Sequence, residues 1–72
     1  MEPNEIFELI IKADEKVKYA KPGKADLRAG QARELLEQAR QAAREIDNDT
    51  LVLQAERRLA DLEALADQAD PG

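Results

Sequence analysis

Apolar residues recur along this chain every three to four positions, and alternation of period two never lasts more than a few residues, so the pattern is helical throughout. Ile6, Ile10, Ala13, Val17 and Ala20 form one stripe. Ala25, Ala29, Ala32, Leu36, Ala39, Ala43 and Ile46 form a second, widened by Leu35 and Ala42. Val52, Ala55, Leu59, Leu62, Ala66 and Ala69 form a third, flanked by Leu51 and Leu65. Two clusters of breaking residues separate the stripes. Pro22-Gly23 is a turn signal, and Asp47-Asn48-Asp49-Thr50 combines turn formers with N-cap residues. Asp70-Pro71-Gly72 stops the last stretch. The spacing predicts helices over residues 4–20, 24–46 and 50–69. Pro3 suits a first-turn position, and Asn4 is an alternative N-cap.

Three amphipathic helices joined by short turns bury their stripes by running up, down and up. The expected fold is therefore an all-α, up-down-up three-helix bundle comprising the single domain 1–72. The alanines of the second helix permit close approach from both sides and make it the natural central helix. Glu8 with Lys12, Asp14 with Lys18, Arg33 with Glu37 and Arg57 with Asp61 are spaced to support the solvent faces.

Composition then removes whole classes of chemistry. Cysteine and histidine are absent, so neither a disulfide, a thiolate metal site nor a neutral-pH proton shuttle can be built. Serine is absent too, and Thr50 and Tyr19 are the only other hydroxyl side chains. The usual nucleophiles and their activating base are therefore missing; carboxylate pairs remain possible, but on a small bundle they are expected to sit in water, untuned for acid–base work. Gly23, Gly30 and Gly72 do not form a phosphate-cradling pattern, and the Asp47-Asn48-Asp49 run lacks the glycine and spacing of a calcium loop. No enzyme activity, metal or cofactor is expected. The net charge of −5 disfavours nucleic acid as a partner. No apolar run is longer than three residues, as in Leu9-Ile10-Ile11, far short of a membrane span, and Met1-Glu2-Pro3-Asn4 does not open a secretory leader. A cytoplasmic location is expected. The Ala, Arg, Glu and Leu bias suits a bacterium with a GC-rich genome.

Two features point to binding. Phe7, Leu9 and Ile11 flank the first stripe and spread its apolar arc over roughly 200° of the helix, against about 100° for a helix packed on one side. Either the first helix lies in the crevice between the other two, or part of the arc faces a partner protein or a second copy. Leu53 also falls off the main stripe of its helix. These four residues are the candidate protein contacts. The second feature is a basic cluster around the first hairpin, Lys16, Lys18, Lys21, Lys24 and Arg28. It is a candidate site for RNA or an acidic partner, although lysines late in a helix also complement its negative end.

From Gln31 to Leu62 the sequence resembles tetratricopeptide repeat proteins. Ala32, Leu36 and Ala39 match the small–large–small spacing of that family's second helix, within the run QARELLEQARQAAREIDND. Leu59-Ala60 stands where the next repeat begins with Leu-Gly, while Arg44 replaces the family's proline. The likeness covers a little under half of the chain and implies helical hairpins that bind protein, amounting to one and a half degenerate repeats.

Overall fold

The computed structural model describes residues 1–18 and 25–69, and within the second stretch the side chains of 27–64. Three helices account for nearly all of them: α1 (Pro3–Lys18), α2 (Ala25–Glu45) and α3 (Asp49–Ala69). The expected ends of the first helix at Ala20 and of the second at Lys24 lie outside the described residues, as do Lys21, Pro22 and Gly23.

Each helix end with described neighbours is fixed by local hydrogen bonds. At the start of α1 the Glu2 carbonyl accepts from Glu5 N at 3.0 Å and Ile6 N at 3.1 Å, and the Glu2 amide donates to Glu5 Oε1 at 2.9 Å. Glu2 is therefore the N-cap and Pro3 the first helical residue, where its missing N–H costs nothing; Asn4 is not the cap. α2 ends in a Schellman turn. Asn48 N donates to Ala43 O at 2.8 Å and Asp47 N to Arg44 O at 3.1 Å, with Asp47 at φ 55° in the left-handed region. Asn48 then caps α3, its Oδ1 accepting from Leu51 N at 3.2 Å. So α3 begins at Asp49, one residue before Thr50. Ile46, expected in the core stripe, falls at the reversal of the chain and is 37% exposed.

α2 is the central helix. Both α1 and α3 pack closely along it, whereas α1 and α3 meet only sparsely. α1 therefore does not sit in a crevice between the other two. Among the described residues the core consists of Ile6, Ile10 and Ala13 from α1, Ala32, Leu36, Ala39, Ala42 and Ala43 from α2, and Leu51, Ala55 and Leu62 from α3. Six of these eleven are alanines, so the helices approach closely but few large side chains are buried. Leu51, expected on the flank, is in the core, and Val52 and Leu59 are half-buried beside it. The molecule is a rod of 40 × 19 × 13 Å, and a 21-residue helix alone is about 31 Å long. Its radius of gyration of 12.5 Å exceeds the roughly 11 Å of a spherical chain of this length.

Gly30 has no structural reason to be glycine. It is exposed within α2, and a Cβ placed there meets nothing within 4 Å. Gly30→Ala is expected to stabilise the protein by about 0.5–1 kcal/mol, because alanine loses less backbone entropy on entering a helix. A urea melt in which the midpoint stays put or falls would contradict this.

Candidate functional site

The wide apolar arc of α1 divides in two because α1 packs closely on α2 but only sparsely on α3. Leu9, on the flank toward α2, is half-buried and packs on the core. Phe7 and Ile11 lie on the other flank and remain 44% and 40% exposed. They are one helical turn apart and so adjacent on the surface. Leu53, 58% exposed, lies well round α3 from its core residues Leu51 and Ala55, and Leu27 at 60% stands likewise off the core face of α2. The four candidate contacts do not form one patch. Phe7 and Ile11 do.

Farther along the same flank runs a groove between α1 and α3. Ala13, Val17, Leu36 and Leu62 give it apolar walls, and Asp14, Lys18, Arg58 and Asp61 rim it. An ion pair crosses it. Arg58 Nε donates to both Asp14 oxygens at 3.0 Å, and Arg58 Nη1 reaches back to the Gln54 carbonyl at 3.3 Å. Asp14, set by its spacing against Lys18, thus serves as a tie to α3. Both partners of the tie are partly exposed, so it contributes at most about 1 kcal/mol. The α2–α3 side carries a looser pair, Arg44 to Glu56 at 3.9 Å.

The basic cluster is also split. Lys16 and Arg28 come together from α1 and α2 at a depression that Lys12, Glu15 and Leu35 complete. Lys18 is on the rim of the α1–α3 groove instead. Successive residues of a helix are rotated by about 100°, which puts positions 16 and 18 on nearly opposite sides. Lys21 and Lys24 lie outside the described residues. Lys12 is the member that the sequence reading missed, although its spacing of four from Lys16 placed it on the same face. Among the described residues, Lys12, Lys16 and Arg28 enter no ion pair.

No group of acidic side chains among the described residues is arranged to hold a metal ion, and none of the helices described is long and apolar enough to cross a membrane. In comparisons with family models, curated proteins and solved structures, nothing matches the chain.

Proposed function

We propose that this chain is a non-enzymatic, cytoplasmic protein-interaction module that uses the Phe7–Ile11 face of α1 to hold another protein or a second copy of itself. The observation that carries the reading is this adjacent pair of large apolar side chains, each about two-fifths exposed, on the flank of α1 away from α2. The thin, alanine-rich core supports it, since docking would bury apolar surface that the bundle leaves in water. The lack of serine, cysteine and histidine supports the non-enzymatic part. The resemblance of Gln31–Leu62 to tetratricopeptide repeats is in keeping with a helical scaffold that binds protein.

Phe7→Asp separates contact from core. Phe7 is already partly in water, so its loss is expected to lower the melting temperature by only a few degrees while association weakens at least about tenfold, or 1.4 kcal/mol. Light scattering on purified protein over a concentration series, with circular dichroism on the same samples, reads both quantities. Collapse of the helical signal with no separable change in mass would make Phe7 a core residue and remove the contact face. If the parent is monomeric throughout, the second-copy form fails and the face is left for a different protein.

A further inference from the structure

The α1–α2 depression lies on the other side of α1 from Phe7 and Ile11, and its charge arrangement is not explained by folding. Lys12 and Lys16 stand one turn apart on α1, Arg28 faces them from α2, and Leu35 supplies an apolar wall. Lys16 and Arg28 are half-buried, which strengthens the repulsion between them relative to open water. Among the described residues, Glu15 is the one acid lining the depression, and none of the three cations is in an ion pair. This occurs in a chain with 16 acidic residues and only 11 basic ones, where a neutralising partner is the easier arrangement.

Complementing the helix dipole does not account for the cluster. A lysine in the last turn of α1, as Lys16 is, does favour the negative end of that helix. Lys12 is farther back, beyond the reach of that effect. Arg28 is the fourth residue of α2, where the helix end is itself positive, so its charge opposes the dipole and adds to the same positive potential.

The geometry points to a docking site for a short acidic segment of another protein, in which carboxylates pair with Lys12, Lys16 and Arg28 and an apolar side chain rests on Leu35. Carboxylates one helical turn apart on the ligand match the spacing of Lys12 and Lys16. Nucleic acid fits less well. Among the described residues no aromatic side chain lines the depression to stack on a base, and a net charge of −5 repels a long polyanion that extends past the site.

The test is fluorescence anisotropy at low salt with three labelled probes: a short peptide of glutamate pairs separated by leucines, the same peptide with glutamine for glutamate, and an oligouridylate. The glutamate peptide is expected to bind, the glutamine peptide not to bind, and the affinity to fall as salt is raised to about 0.15 M. Arg28→Glu and Lys12→Glu should each weaken binding at least about tenfold. Arg33→Glu makes the same change in net charge outside the depression and should leave binding within about twofold. Lys12 is exposed, so its variant reports on the site even if Arg28→Glu disturbs the fold. Phe7→Asp should not affect peptide binding, which keeps this proposal separate from the α1 contact face. Failure of the glutamate peptide to bind at low salt, equal losses from Arg33→Glu and Arg28→Glu, or tighter binding of the oligouridylate would each overturn it.

Discussion

Leu36→Ala is expected to lower the melting temperature by about 12–24 °C. Leu36 is 2% exposed in the middle of α2, packs in the core, and also forms part of the wall between α1 and α3. Removing a buried leucine side chain costs about 2–5 kcal/mol, because the transfer energy is lost and the cavity closes only partly. Closure is limited here because the neighbouring α2 positions in the core, Ala32, Ala39 and Ala43, are alanines with no length to lean into the hole. Taking about 3 kcal/mol and the 4–8 °C per kcal/mol typical of a domain this small gives the stated range. A bundle of this size rarely holds more than about 3–5 kcal/mol in total. A measurable unfolded fraction at 25 °C is therefore expected in the circular dichroism of the variant. A drop of only a few degrees would mean that the isolated chain lacks a fixed core and orders only against a partner.

The helices themselves were legible because their signals are local. Stripes of period near 3.6, Pro22-Gly23 and the Asp47–Thr50 cluster act within a few residues, and α2 and α3 start and stop within one residue of the expected places wherever those ends are described. Ile46 shows the limit of periodicity. It continues the stripe in register, but Asp47 takes a left-handed conformation and turns the chain before Ile46 can reach the core. The candidate sites depended on what lies beside each helix, which the wheel does not encode. Phe7, Leu9 and Ile11 look alike in sequence, and only the close packing of α1 on α2, with sparse contact to α3, buries Leu9 further and leaves Phe7 and Ile11 more exposed. The Asp14–Arg58 tie spans 44 residues, beyond any rule of three or four. Closeness in sequence is not closeness in space: positions 16 and 18 stand on nearly opposite sides of α1, and sorting by face sets Lys12 with Lys16 and sets Lys18 apart.

Ala39→Leu tests the opposite property of the same face. Ala39 is fully buried on α2, and leucine is nearly as good a helix former as alanine, so any loss reflects packing and not propensity. The added atoms must push α1 or α3 off α2 or take a strained rotamer, with an expected cost of about 2 kcal/mol. Ala60→Leu, the same change at an exposed position of α3, should stay within about 0.5 kcal/mol. The double variant Leu36→Ala/Ala39→Leu carries the argument further. Long side chains on a helix lean toward its N-terminus and cover the positions three and four residues earlier. The leucine introduced at position 39 therefore reaches toward the space that Leu36 vacates. The two losses should then fall short of additivity by about 1 kcal/mol in urea melts of the four proteins of the cycle. Full additivity would show that α1 and α3 recognise the shape of the α2 surface position by position. A shortfall would show that they sense mainly its volume, as expected of a face whose remaining core positions are alanines.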